Sequence, residues 1–281
     1  MITVDFLVPG FSKCGTTSLC ALLAQHPQLY LPELKEPWYF SSKHYVPRAP
    51  GYARHFAAAR PGQLLGEGSQ SYSTYEDEAV SIARIREHNP RCRFIFLARN
   101  PLRRIESSYR EMHHSGVMFG VNAPFDLAGC LERFPQMIRD SMFYQRIGGY
   151  LKAFGPQSVL VLFLEDLRQD PQREMEKCFR HLGVDSGFTV RPLPPLNEGG
   201  SKLYDTAGLR RLRATPWLAP LLNRFTREQQ DRLFRPVGLR RAFAGPVQWD
   251  ECSLAMVRQS VVPDARRFLR YFGKPEDFWQ L

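Results

Sequence analysis

Three groups of residues in this chain have types and spacings that could do chemistry. The first is GFSKCGTTS, residues 10–18, where Lys13 and the hydroxyls of Ser12, Thr16, Thr17 and Ser18 lie around Gly10 and Gly15. A lysine in a small-residue loop ahead of a helix start sets a positive side chain beside backbone N–H groups and the positive end of a helix dipole. That chemistry suits a phosphate or a sulfate. The second group is Arg99, followed by Arg103, Arg104 and Ser107, in which a guanidinium and a hydroxyl could converge on one phosphate. The third is Glu36 in KEPWYF, ahead of Trp38, Tyr39 and Phe40. Apolar rings around a carboxylate raise its pKa toward the working range of a general base. Each group alone also has an ordinary reading: a strand-to-helix turn with a solvated lysine, a strand-end arginine in an ion pair, and a surface glutamate before a turn. The glycine spacing of the first loop matches a nucleoside-triphosphate loop, but Thr16 stands where that pattern places its lysine.

The elements around these groups alternate between strand and helix. Val4, Phe6, Leu7 and Val8 read as a strand covered on both faces, closed by Pro9 and Gly10. Thr16, Thr17 and Ser18 then open a helix that His26 and Pro27 end. Residues 63–66 predict a short strand and residues 76–88 an amphipathic helix, while 45–62 read as loop. Phe94 to Ala98 form a further buried strand with Arg99 at its carboxyl end, before a helix that Pro101 can start. Ligands of open α/β sheets bind outside those carboxyl ends. Downstream, SMFYQRIGGYLKAF predicts a helix, VLVLFLEDL a strand, Asp170 and Pro171 a helix running to His181, and PDARRFLRYF a closing helix. The expected class is α/β, a central parallel sheet flanked by helices, in one domain over residues 1–281.

Composition bounds what such a domain does. The 281 residues are 43% hydrophobic, enough for a large core, and no apolar run approaches the roughly 18 residues of a membrane span. Six cysteines, without metal-finger spacing, are expected as reduced thiols in a cytoplasmic protein. Cys14, between Lys13 and a helix start, would have either a lowered pKa or a purely space-filling role. Much of the net charge of +10 lies in residues 201–241, where Lys202 and nine arginines face three acids. That block fits nucleic acid, an anionic surface, a small polyanion, or simply a solvated helical face. Residues 197–250, interrupted by Pro216, Trp217 and Pro220, are expected to form a mostly helical insertion or lid.

Together the motifs resemble the sulfotransferase family that uses 3′-phosphoadenylyl sulfate, and most closely its heparan-type and related bacterial carbohydrate members. The likeness rests on SKCGTTSL, KEPWYF and LARNPLRRIESSY in that order, and continues through EDLRQDP and the final Trp279. It implies a P-loop-like sulfotransferase fold in which Ser12, Lys13, Gly15, Thr16, Thr17 and Ser18 bind the 5′-phosphosulfate. Arg99, Pro101, Arg104 and Ser107 match the family's 3′-phosphate pattern, and Glu36 with Phe40 matches the segment that carries the catalytic base. Lys202, after Gly199, Gly200 and Ser201, resembles a late phosphate-binding loop. The implied activity is sulfuryl transfer to a hydroxyl of a small molecule or carbohydrate, with Glu36 and Lys13 catalytic and no metal required. His44, His113 and His114 are reserve bases. Three departures stand out: Cys14 for a glycine, Asn100 for the commoner aspartate, and Gly68 for a substrate-contacting lysine, which argues against a heparan-like acceptor. A kinase-like phosphotransferase would need a lysine after Gly15 and a magnesium-binding acid at the place of Arg99. A nucleic-acid-binding protein has only the basic block in its favour, so neither nucleic acid nor a membrane span is expected as a partner.

Overall fold

A computed structural model of the chain describes all residues except 1, 34–35, 117–119, 194–201, 216–217, 219–221, 223 and 244. In chain order the elements are β1 (Phe6–Gly10), α1 (Thr16–Leu23), β2 (Leu29–Tyr30), α2 (Pro50–Ala53), β3 (Leu64–Glu67), α3 (Glu78–His88), β4 (Arg93–Ala98) and α4 (Pro101–His114). There follow α5 (Leu127–Arg133), α6 (Gln136–Arg139), α7 (Phe143–Phe154), β5 (Val159–Phe163), α8 (Leu164–Gln169) and α9 (Pro171–Leu182). The last are β6 (Leu203–Asp205), α10 (Ala207–Arg213), α11 (Arg227–Phe234), β7 (Arg240–Ala242) and α12 (Glu251–Tyr271). These residues divide into two compact units, one of Met1–Arg104, Ile138–Leu196 and Arg258–Leu281, the other of Ile105–Met137 and Asn197–Val257.

The first unit is built on a five-stranded parallel sheet in the order β2-β3-β1-β4-β5. Its centre is β1, and every residue of that strand is buried, as the continuous apolar run requires. The chain leaves β1 toward β3 on one side and returns to β4 on the other, so the sheet's switch point lies at the carboxyl end of β1. Register across the pair β1/β3 places Phe6 opposite Gly66. A Cβ at Gly66 would sit 2.1 Å from the Phe6 ring, so only glycine lets the ring lie flat over the neighbouring strand. The α/β expectation holds, with local differences. The strand expected over VLVLFLEDL stops at Phe163, and Leu164–Gln169 is helical, with Glu165 and Asp166 in its favourable first turn. The closing helix begins at Glu251, and Pro263 lies inside it instead of starting it. The segment read as loop over 45–62 contains α2 and a 3-10 turn at Arg54–Phe56.

The second unit holds the basic block. It is less purely helical than expected, because β6 and β7 pair antiparallel with Asp205 opposite Arg240. Two of its arginines are internal: buried Arg240 lies 3.2 Å from buried Asp205 and 2.9 Å from Asp231, and Arg213 donates to Asp205 and to Gln230. Pro216, Trp217 and Pro220 lie outside the described residues. No helix among the described residues is long and apolar enough to cross a membrane.

Candidate active site

The loop between β1 and α1 is shaped by main-chain anchors. Its Phe11 N–H donates to Leu97 O on β4 at 3.0 Å, and Gly15, with φ of +97°, is the left-handed residue that turns the chain into α1. A Cβ at Gly15 would crowd Leu164 Cδ1 at 3.0 Å, which adds to the backbone's own preference for glycine there. Lys13 also has a left-handed backbone, at φ of +65°. Two arginines hold this shape from the β4–α4 junction. Arg99 Nη1 donates to Lys13 O at 3.2 Å, and Arg104 Nε donates to Ser12 O at 3.1 Å. The structure thus brings Ser12, Lys13, Gly15 and Thr16 at the start of α1 together with Arg99 at the end of β4.

Arg104 stands among the residues that match the 3′-phosphate pattern. Only 2% of its surface is exposed, and its guanidinium is spent on Ser12 O, Ser141 Oγ and Asp140, the last at 3.3 Å. It braces the loop from inside. Cys14 is fully buried, and burial pushes its thiol up to about 12 despite Arg104 and Arg99 nearby. Burial thus acts against the lowered pKa considered for it, and the thiol fills space with a long 3.6 Å contact to Ser12 O. Asn100 explains its own departure from aspartate. Its Oδ1 accepts from Leu102 N at 3.0 Å and from Arg103 N at 3.2 Å, capping α4, while its Nδ2 donates to Trp279 O at 2.8 Å. An aspartate could cap the helix but would set an anion against that carbonyl. Asn100→Asp should destabilise the protein by about 1–3 kcal/mol, the cost of a buried acceptor left unsatisfied, seen as a melting temperature lower by several degrees. The EDLRQDP segment is structural too: Glu165 accepts from Asn100 N at 2.9 Å, Asp166 pairs with Lys274, and Asp170 caps α9.

Glu36 lies on the segment after the undescribed residues 34–35, with its N–H donated to Gly68 O at 3.0 Å. Its Oε2 accepts from Trp38 Nε1 at 3.3 Å and from Gln70 Nε2 at 3.1 Å. Both Glu36 and Trp38 have left-handed backbones, at φ of +65° and +50°. Such conformations cost roughly 1–3 kcal/mol each and persist only where surroundings impose them. Here the imposing groups are a bond from Trp38 N to Ser69 Oγ at 3.1 Å, one from Phe40 N to Tyr72 Oη at 3.3 Å, and Arg84 Nη1 on the carbonyls of Phe40 and Ser42. Gly68 itself packs on the elements that flank the loop: a Cβ there would lie 2.7 Å from Cys20 Sγ on α1 and 3.7 Å from Val8 on β1. Cys20 thus occupies the space where a lysine at this position would begin.

The sequence reading missed Glu67. It ends β3, 1% exposed, and its carboxylate accepts from Tyr72 Oη at 2.6 Å, Ser69 Oγ at 2.8 Å and Tyr52 Oη at 3.3 Å. Burial pushes it up to about 7, against the pull of those hydroxyls. A lone acid at the carboxyl end of a short strand was the one available signal. In the second unit, Lys202 is buried with its ammonium 2.5 Å from Glu111, and the preceding Gly199, Gly200 and Ser201 lie outside the described residues. Ser107 stands on the part of α4 counted with that unit. His113 is buried there against Arg210, and burial first, then that guanidinium, pull it down to about 4. His114 Nδ1 contacts Leu203 O at 2.8 Å, whereas His44 is exposed.

Known proteins resemble this chain in sequence or in fold. A protein of Dictyostelium discoideum, membrane-associated sulfotransferase kil1, is 33% identical over 108 residues, which are 37% of this chain and 22% of that protein. The chain thus spans about a fifth of the length of that relative. The crystal structure of a sulfotransferase from Alicyclobacillus acidocaldarius superposes with a TM-score of 0.68 at 19% identity, covering 100% of both chains. Mouse sulfotransferase SULT7A1 complexed with PAP aligns at a TM-score of 0.45 and 16% identity, over 66% of this chain and 61% of that one. The first of these structures shares the parallel sheet described above. The model of the sulfotransferase domain matches residues 3–193, through β1, the Glu36 segment and the β4–α4 junction, and the chain belongs to the sulfotransferase family.

Proposed function

We propose that the protein moves a sulfuryl group from 3′-phosphoadenylyl sulfate to a hydroxyl of a small-molecule or carbohydrate acceptor. The observation that carries this reading is the bond from Arg99 Nη1 to Lys13 O, which joins a strand-end guanidinium to a lysine loop at a helix N-terminus. Two separate anionic groups of one ligand fit two such neighbouring cationic centres. The donor set, an ammonium, a guanidinium, hydroxyls and helix N–H groups, is chemically suited to a nucleotide carrying a 3′-phosphate and a 5′-phosphosulfate. When bound there, that nucleotide supplies the sulfuryl group and a bisphosphate leaving group. Lys13, Ser12, Thr16, Thr17 and Ser18 would hold the 5′ end, with Lys13 placed to neutralise charge as it develops. Arg99 would hold the 3′-phosphate. Ser107 and Lys202 join that assignment through the sequence resemblance. Glu36 would orient the acceptor hydroxyl and take its proton at the carboxylate.

Trp38 shapes the acceptor. Trp38 is 54% exposed, with its indole N–H on the Glu36 carboxylate, so an acceptor brought to Glu36 meets an aromatic side chain. No lysine stands at position 68 to favour an anionic sugar. This combination supports an uncharged sugar or an apolar alcohol. Six free cysteines are consistent with a reducing, cytoplasmic setting. The deciding experiment is a thermal-shift titration with adenosine 3′,5′-bisphosphate, ATP with magnesium, and single-stranded DNA. Stabilisation by the bisphosphate alone is expected, about 2.7 kcal/mol at a hundredfold excess over Kd. A larger shift with ATP and magnesium would favour a phosphotransferase, and one with DNA a nucleic-acid-binding protein.

A further inference from the structure

We propose that Glu67 is a positioning residue: through Ser69 and Tyr72 it orients the hydroxyls that receive the Trp38 and Phe40 N–H groups, and so holds the segment that presents Glu36. The assignment of a role to Glu36 rests on the sulfotransfer reading above; the hydroxyl relay does not.

The relay has a direction, and the hydroxyls set it. A hydroxyl carries one proton and two lone pairs. Ser69 Oγ gives its proton to Glu67 Oε2 at 2.8 Å and accepts the Trp38 N–H at 3.1 Å. Tyr72 Oη gives its proton to Glu67 Oε1 at 2.6 Å and accepts the Phe40 N–H at 3.3 Å. Tyr52 Oη also donates to Oε1, and its ring stacks on Tyr39 at 3.9 Å between centroids. With Glu67 ionised, all three protons point at one carboxylate that only accepts, so lone pairs, not protons, face the two amides. Those amides flank Tyr39 and follow directly on Glu36 and Pro37, where the left-handed backbone needs outside support. Remove the acceptor and the two hydroxyls lose the group that fixes their protons, so nothing holds their lone pairs on the Trp38 and Phe40 N–H groups.

Glu67 is not itself placed to touch an acceptor, since it is buried at the end of β3 beneath this segment. A purely structural carboxylate would brace β3. This one spends its two strongest bonds on hydroxyls that carry the neighbouring segment.

Glu67→Gln tests the relay, because glutamine keeps the shape but must present an NH2 group to one of the hydroxyls. Hydrogen exchange at one or both of the Trp38 and Phe40 amides should accelerate at least about tenfold, while affinity for adenosine 3′,5′-bisphosphate stays within about twofold. Ser69→Ala should free the Trp38 amide alone, and Tyr72→Phe the Phe40 amide alone, which keeps the test intact if the glutamine variant folds poorly. Transfer of label from the sulfated donor to octyl β-glucoside, and to water, should fall about tenfold in Glu67→Gln, and no further when Glu67→Gln is added to Glu36→Gln. Unchanged exchange at both amides overturns the relay. A full second loss of transfer in the double variant overturns its action through Glu36. An active Glu36→Gln enzyme with accelerated exchange in Glu67→Gln instead removes the base assignment and leaves the relay standing.

Discussion

Glu36→Gln should reduce sulfuryl transfer by about 10²–10⁴-fold, the range general-base catalysis contributes, with binding of adenosine 3′,5′-bisphosphate nearly unchanged. The substitution is nearly isosteric and keeps an amide oxygen for Trp38 Nε1 and Gln70 Nε2, which now meet on Oε2. It leaves the main-chain supports of the segment in place, because Glu36 N, Trp38 N and Phe40 N bond to Gly68 O, Ser69 Oγ and Tyr72 Oη. What disappears is basicity. An alcohol attacking sulfur must shed its proton, and a neutral amide cannot accept it at neutral pH. Turnover of labelled donor measured with a panel of glycosides and alcohols checks this. A variant that keeps more than about a tenth of wild-type rate would sink the assignment and return attention to exposed His44.

The parts of the site that could be read from the sequence are those whose residues are contiguous. The lysine loop lies within one strand–turn–helix unit, and the periodicity of β1 and α1 gives its placement directly. Arg99 was legible for the same reason, since a strand end followed by Pro101 fixes which side of the sheet it serves. Arg104 was not, because helical spacing tells which face a residue shares but not that Asp140, 36 residues away, waits for it there. Glu67 escaped for a similar reason. Its partners Tyr52, Ser69 and Tyr72 sit on the one-turn helix α2, a loop and a 3-10 turn, all too short to show periodicity, and only the folded chain shows three hydroxyls meeting one carboxylate. The helix at Leu164–Gln169 was hidden by composition, as a Leu-rich run after a buried strand looks like more strand until its acidic first turn is weighed.

Those long-range supports also determine what a change at Lys13 does. Lys13→Met should lower the transfer rate by about 10²–10³-fold, comparable to the loss of one preorganised group that stabilises transition-state charge. The effect should fall on the chemical step, because the loop's shape does not depend on the lysine side chain. Arg99 holds the Lys13 carbonyl, Arg104 holds the Ser12 carbonyl, and Phe11 N is tied to Leu97 O, all through the main chain. Methionine keeps the stem length and removes the charge. Lys13→Arg should rescue only part of the rate, since a planar, delocalised guanidinium on a longer reach does not replace a compact ammonium beside a helix N-terminus. Single-turnover rates at saturating donor, set against bisphosphate affinity, separate the two effects. A methionine variant within tenfold of wild type in the single-turnover rate would assign Lys13 to binding and leave the charge of the departing phosphate to the N–H groups at the start of α1.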